Sequence, residues 1–467
     1  MSERRNRDTG RPAVVLFTRD LRIHDHAALD EAARTHDRVV PLFVLDDQIL
    51  HSLRSPNRVR FLLESLADLR ESLLGLGADL VLRRGDPVGE TVRLALSTAA
   101  TTVFVSADAS RYSCEREERL ARESARQRIE LRVLDALAVV GPGALTPVGS
   151  DHYRVFTPYW RRWRATPPPP PIGPPPRLRL PNGLEPGKLP ALHALASGTA
   201  SSTLPHGGER EGRRRLRHWL REGLSRYEEQ GEALAADATS RLSAYLHFGC
   251  LSPRELAFHS RGYGAEGFLR QLCWRDFFLQ LLAANPETER EDLRHRSDRW
   301  SRDDDTFARW REGLTGYPIV DAGMRQLARE GWLPNRARLI VASFLTKTLY
   351  LDWRLGVRAF SELLVDGDVA SNVGNWQWIA GTGADTRPNR VLNPLTQARR
   401  FDPDGDYVRR YVPELGRLEG PGVHEPWKAP RRLVPREYLR PIVDHAEAAA
   451  RFRERRTRHL AAHVDSA

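Results

Sequence analysis

Lysine is almost missing from this chain: Lys188, Lys347 and Lys428 are the only three among 467 residues. Cysteine is as scarce, with Cys114, Cys250 and Cys273 far apart and odd in number. That excludes a disulfide framework and a four-cysteine zinc or iron–sulfur site, and leaves three inert or buried thiols. No apolar run reaches the roughly 18–20 residues that a membrane span needs. The opening MSERRNRDTGRP carries no apolar signal core, so a cytoplasmic protein is expected, with no membrane role. Neither GxGxxG nor a Walker A loop is present, which removes both common nucleotide fingerprints.

What is abundant is arginine. Lys plus Arg is 72 against 61 Asp plus Glu, a formal charge of +11. A basic chain suits a polyanion, because phosphate contacts release counterions; base composition of the genome can also enrich arginine, so charge alone does not decide. Length favours two domains over one core.

Apolar runs at 13–17, 39–45, 79–82, 102–105 and 131–134 predict buried strands, with helical patterns at 58–74 and 113–129 between them. Strand–helix alternation predicts a doubly wound α/β domain on a parallel sheet over 11–140. Residues 141–205, with PPPPPIGPPP at 167–176, read as an extended proline-rich connector. From 206 to 440 apolar residues recur at three- and four-residue steps, predicting an all-helical domain. Residues 441–467 read as a charged, loose tail.

Tryptophan carries the functional signal: eight of the 11 fall between Trp219 and Trp378. Core packing is the ordinary use of tryptophan. The pair in WQW (376–378), however, sits in DGDVASNVGNWQWIAGTGAD, a polar, glycine-bearing stretch that reads as a ligand-holding loop.

Several long segments then make the chain recognisable. TSRLSAYLHFGCLSPREL (239–256), LCWRDFF (272–278), TGYPIVDAGMRQL (315–327), NRARLIVASFLTK (335–347) and DGDVASNVGNWQW (366–378) resemble signatures of the photolyase/cryptochrome family. FTRDLRIHDHAAL (17–29) resembles the family's opening segment, and 390–415 its closing one. The resemblance runs in order over nearly the whole chain. It implies an α/β N-terminal domain and an all-α C-terminal domain that binds FAD.

By that resemblance, Tyr227, Thr239, Ser240, Arg241, Leu242 and Ser243 match flavin phosphate and ribityl contacts; read alone, TSRLS would be a helix N-cap. Arg338, Asp366, Gly367 and Asp368 match the ring edge, and Asn372 the residue facing flavin N5. Asn at this place resembles photolyases, whose working flavin is FADH⁻. Trp376, Trp353 and Trp300 match the electron-transfer triad. Trp274 and Trp378 match the aromatic walls around a flipped-out pyrimidine dimer, where stacking is worth about 1–3 kcal/mol per base. A dimer is already poorly stacked, so its extrusion costs less. Arg275, Asn335, Arg336 and Gln397 match further DNA contacts.

Two departures from the pattern stand out. Gln271 replaces the Glu of many dimer photolyases, and Leu339 replaces Met; Gly231 also replaces an Arg of some members. A (6-4) photolyase needs a histidine pair where Asn335 and Leu339 stand, so (6-4) repair is disfavoured. The expected activity is light-driven repair of cyclobutane pyrimidine dimers by a monomer without an obligate protein partner. A cryptochrome-type blue-light sensor is the rival reading. Asp108 and Tyr112 resemble the antenna residues of the branch that binds 8-hydroxy-5-deazaflavin, which is expected ahead of methenyltetrahydrofolate; alone, Asp108 would be a loop-capping carboxylate.

Overall fold

A computed structural model describes residues 8–52, 55–261, 266–435, 438 and 440–464. Five parallel strands form one sheet: β1 (Asp8–Phe17), β2 (His36–Leu45), β3 (Val81–Arg84), β4 (Thr102–Ser106) and β5 (Glu130–Leu134), in the order β3-β2-β1-β4-β5. Val14 of the central β1 stands opposite Val40 on one side and Val103 on the other. Helices Pro56–Gly75, Pro87–Ser97 and Arg111–Arg126 connect successive strands from β2 to β5. The continuous apolar run of β1 follows from this, since helices cover both faces of such a sheet. Strand order reverses between β1 and β4, the switch point where open α/β sheets take ligands.

The described chain falls into two compact units, one of residues 1–225 and 240–286, the other of 226–239 and 287–467. The sheet therefore shares its unit with the helices up to Glu266–Ala284, and the expected boundary at 206 falls inside that unit. The proline-rich segment also differs from a plain connector. It contains a helix, Phe156–Arg164, whose Tyr159, Trp160 and Trp163 are buried. The Trp163 indole donates to the buried Asp276 carboxylate at 2.8 Å. Farther on, backbone amides of Val39 and Leu82 donate to Arg179 and Pro186, so the stretch lies along the sheet's own strands. The proline run 167–176 has no regular structure, as expected from its missing donors.

The second unit is helical around one core. Its central helices are Asp304–Glu312, Pro318–Glu330, Asn335–Ser343, Trp353–Leu363 and Val369–Ala380. The segment expected to be a ligand loop is the last of these helices. Asp368 caps it by accepting from Ser371 N at 2.8 Å, and Gly381 ends it in the left-handed conformation at φ +81°. Ala370, Val373 and Gln377 line up with Ala380 at helical steps on the buried side. The expected loose tail is likewise a helix, His445–Val464, which buries Ala448, Ala449, Phe452 and Arg456. Among the described residues no helix is long and apolar enough to cross a membrane.

Candidate cofactor and electron-transfer site

Three helices of the second unit converge on a cleft. Asn335–Ser343 contributes Arg338 and Leu339, Trp353–Leu363 contributes Phe360, and Val369–Ala380 contributes Asn372, Trp376 and Ile379; Asp366 comes from the turn between the last two. Its lining, apolar side chains with a few convergent polar groups, suits an aromatic cofactor.

The charged feature of the cleft is one ion pair. Arg338 Nη2 lies 2.7 Å from Asp366 Oδ2, and Arg338 Nε donates to the Leu333 carbonyl at 2.7 Å. Asp366 is buried, yet its Oδ1 has no hydrogen-bond partner within the protein. A buried carboxylate oxygen left this way costs energy unless a ligand donor meets it. Thr239 Oγ1 is a second buried oxygen of this unit without a protein partner. These two atoms, with the cleft, fit a cofactor rich in N–H and O–H groups, and FAD is such a group.

Asn372 is held by both its amide hydrogens. Nδ2 donates to the Val357 carbonyl at 3.2 Å and to Ser361 Oγ at 3.0 Å. The amide oxygen is the polar atom left over, so the residue offers an acceptor to the cleft. An aspartate could not be held by the Val357 carbonyl in this way, because it lacks the donors.

Trp376 lines the cleft and lies edge-on to Phe360, with ring centroids 5.0 Å apart. It packs against Gly356 so closely that a Cβ there would come within 2.2 Å of the indole. Trp353 is fully buried; its Nε1 donates to Asp292 Oδ1 at 2.9 Å, and the Arg354 guanidinium lies 4.5 Å from its ring. Trp300 is half-buried and rests on Tyr350. Burial thus falls from Trp376 and Trp353 to Trp300.

The other expected residues are placed as follows. In the second unit, Tyr227 is half-buried, and burial pushes its phenol up to about 12. Gly367 is half-buried, and Asp368 serves as the helix cap already described. Asn335 is exposed at the start of its helix, and Gln397 is buried. Arg336 pairs with Glu232 and lies 4.2 Å over the Phe401 ring. Trp378 is half-buried against the core.

In the first unit, Ser240 to Ser243 lead into the helix Ser243–His247, with Arg241 in a left-handed conformation at φ +50°. Leu242 holds the N-cap position and no side chain caps the helix, so the capping reading of TSRLS does not hold. Gln271 is exposed on the helix Glu266–Ala284. Trp274, on the same helix, stacks on Phe156 at 3.7 Å with planes 1° apart, and Arg275 donates to the Leu137 carbonyl. Asp108 follows the end of β4 and pairs with Arg19, just beyond β1, at 3.0 Å. Tyr112 donates to Asp46. Glu117 accepts from Asp108 N at 3.2 Å; burial, opposed by Arg116, pushes its carboxyl up to about 7.

Sequence reasoning missed Ser361 and Val357, which hold Asn372, and Phe156, which sets the plane of Trp274. No sequence pattern announces such contacts, because each partner lies on a different part of the chain.

Comparison with known proteins identifies the family. Residues 268–458 match the family model "FAD binding domain of DNA photolyase", and residues 13–176 match "DNA photolyase". The chain is 49% identical over 451 residues to the deoxyribodipyrimidine photo-lyase of Streptomyces griseus, covering 95% of this chain and 99% of that one. The crystal structure of a bacterial class III photolyase from Agrobacterium tumefaciens superposes with a TM-score of 0.90 at 34% identity, covering 98% and 100% of the two chains. An archaeal photolyase from Sulfolobus tokodaii, determined with two FAD molecules and described as implying a novel light-harvesting cofactor, superposes with a TM-score of 0.86 at 31% identity, covering 96% and 100%.

Proposed function

This chain belongs to the photolyase/cryptochrome family and binds FAD, and on that footing we propose that it is a deoxyribodipyrimidine photolyase, which uses light to split cyclobutane pyrimidine dimers in UV-damaged DNA. The observation that carries the reading is the cleft in which the Arg338–Asp366 pair, the anchored Asn372 and Trp376 meet. Bound and reduced, FAD supplies a light-driven one-electron reductant; the protein positions it and tunes its surroundings.

The residues divide the remaining work. Asp366 Oδ1 would accept a hydrogen bond from a bound cofactor, while Arg338 balances the carboxylate and would supply positive charge beside an anionic flavin. Asn372 presents its amide oxygen in a fixed orientation. Leu339, Phe360 and Ile379 give the cleft its apolar lining. Trp376, Trp353 and Trp300 carry electrons from the surface to the flavin before repair. Trp274 and Trp378 offer flat faces to an unstacked dimer, with Gln271, Arg275, Asn335, Arg336 and Gln397 as DNA contacts. Arg275 and Arg336 are held by partners of the protein itself, so they meet phosphate from fixed positions.

In functional terms, 11–140 is the antenna part and 206–440 the flavin and DNA part. Asp108 and Tyr112 are our choice for the antenna contacts, with 8-hydroxy-5-deazaflavin as the ligand. The position of Asp108 beyond β4, at the β1/β4 switch point, supports this. A second FAD, as in the archaeal relative, is the competing occupant. Denaturing the purified protein and identifying the released chromophores separates the two. The working location is the cytoplasm and the working form a monomer.

Binding in the dark tests the DNA side. The reduced protein should prefer an oligonucleotide with one cyclobutane thymine dimer to the undamaged one. Trp274→Ala should weaken binding to the damaged strand by about 5- to 150-fold, the equivalent of about 1–3 kcal/mol of stacking, and barely change binding to the undamaged one. Equal losses on both would remove Trp274 from the dimer pocket.

A further inference from the structure

Trp274 is half-buried on the helix Glu266–Ala284, and its indole has a flat backing. The Phe156 ring lies parallel to it, with centroids 3.7 Å apart and planes 1° apart. A contact this close covers one face of the indole, so a base can stack only on the other. Phe277 and Phe278 also meet the indole, with centroids at 5.5 and 5.4 Å and planes at 85° and 32°. Of these three rings, only that of Phe156 is parallel to it. The torsion that turns an indole about its Cβ–Cγ bond is broad and roughly two-fold, so neighbours set the plane of a half-buried tryptophan. Aromatic pairs left to themselves favour offset or edge-on contacts. The face-to-face contact is therefore imposed by the elements that carry the two rings.

Phe156 is fixed in its turn. It is buried at the first position of the helix Phe156–Arg164 and lies edge-on to Phe277, with centroids 5.6 Å apart. The Arg270 guanidinium, one turn before Trp274, lies 5.4 Å from its ring centroid. Two turns further along the short helix, Trp163 Nε1 donates to Asp276 Oδ2 at 2.8 Å. The same carboxylate oxygen accepts from the backbone amides of Val139 and Val140, each at 3.0 Å. Asp276 is fully buried and follows Trp274 by two residues, and Arg275 between them donates to the Leu137 carbonyl. The short helix is thus fastened to the long one twice, by the ring stack at its start and by the indole–carboxylate bond near its end.

We propose, on the reading that Trp274 walls the dimer pocket, that Phe156 is a positioning residue for dimer recognition. It presets the plane of the indole and leaves one face of it for the flipped-out base. A base that stacks on a preset ring does not have to immobilise that ring on binding, and pre-organisation of this kind is read out as affinity. Undamaged DNA keeps its bases in the duplex stack. It is held through its phosphates, at contacts that Phe156 does not touch. Phe156 therefore acts on the preference for damaged over undamaged DNA and not on binding to DNA as such. The helix inside the proline-rich segment thereby acquires a function: it holds the recognition tryptophan from behind.

The test compares wild type, Phe156→Leu, Phe156→Tyr and Trp274→Ala, each with reduced flavin bound. Dark binding is measured to an oligonucleotide carrying one cyclobutane thymine dimer and to its undamaged counterpart. Leucine keeps apolar bulk and loses the flat face, whereas tyrosine keeps the ring. Phe156→Leu should bind the dimer about 2- to 12-fold more weakly, the worth of an aromatic pair, and the undamaged strand as the wild type does. Phe156→Tyr should restore the preference. In the light, the dimer concentration for half-maximal repair should rise in Phe156→Leu by the same factor, with the rate at saturating DNA unchanged. No loss in Phe156→Leu, equal losses on both strands, or a tyrosine variant as weak as the leucine one would overturn the proposal, while a lost preference in Trp274→Ala leaves the pocket wall standing. A Trp274→Ala protein that keeps the preference would overturn both. Fluorine magnetic resonance of wild type labelled with fluorotryptophan decides the matter even if the Phe156 variants fail to fold. The Trp274 line, assigned by its loss in Trp274→Phe, should be single in the DNA-free protein. Two lines would show an indole that its neighbours do not fix, and would overturn the proposal.

Discussion

Replacing Trp353 by phenylalanine separates the electron relay from repair, because the structure fixes what the change costs. Trp353 is fully buried, and its indole N–H donates to the Asp292 carboxylate at 2.9 Å. Phenylalanine removes that bond to a charged acceptor, worth about 1.5–3 kcal/mol, and leaves a small void where part of the indole stood. The two together amount to about 2–4 kcal/mol. Asp292 keeps its ion pair with Arg354 at 3.1 Å, so no buried charge is orphaned. A domain stability of about 5–15 kcal/mol absorbs the loss. Phenylalanine is far harder to oxidise than tryptophan, so the relay is cut while the fold remains. The variant should bind flavin, show a lower denaturation midpoint, and fail to photoreduce its flavin with an external donor in solution. Chemically pre-reduced variant should repair a dimer as the wild type does. Photoreduction at the wild-type rate would remove Trp353 from the relay. Loss of repair in the pre-reduced, flavin-loaded variant would refute the separation of the two processes.

Two further substitutions probe the site and the core. Asn372→Asp turns the donor facing the Val357 carbonyl into an acceptor, costing about 1–3 kcal/mol at neutral pH. Burial raises the new carboxyl, and its protonated form regains a donor, so the loss in denaturation midpoint should be smaller at pH 5 than at pH 7; a pH-independent loss would contradict the hydrogen-bond assignment. Lys347 is 2% exposed, and burial pulls its ammonium from 10.5 down to about 7, although Nζ donates to the carbonyls of Pro388 and Arg390. Between pH 7 and 10.5 the unfolded chain therefore holds the extra proton, and stability rises with pH across that window. The full span is on the order of 4–5 kcal/mol. Lys347→Met should flatten the slope of Tm against pH between 7 and 10; an unchanged slope would place the titration elsewhere.

Strands β1, β2 and β4 were legible because each carries a short apolar run that is buried, and the helices at 56–75 and 111–126 because of their apolar spacing. Three elements were not. In Val369–Ala380, Ser371, Asn372, Gly374 and Asn375 lower local helix propensity, and the helix stands on its cap at Asp368 and on packing against Gly356. Phe156–Arg164 is hidden by the prolines that follow it, although its aromatics fill the core. In His445–Val464 the density of charge masks a buried stripe of Ala448, Ala449, Phe452 and Arg456. At the site, the resemblance named Arg338, Asp366 and Asn372, whose ion pair and hydrogen bonds the structure then supplies.

Light-dependent repair tests the central claim most directly. The purified protein, with its flavin reduced, is given an oligonucleotide carrying one cyclobutane thymine dimer, and illuminated samples are compared with dark ones. The account predicts dimer loss in the light alone, with Gln271 and Leu339 tolerated at the site. No repair in the light, with bound and reduced flavin confirmed, would contradict it and point to a blue-light sensor in place of a repair enzyme.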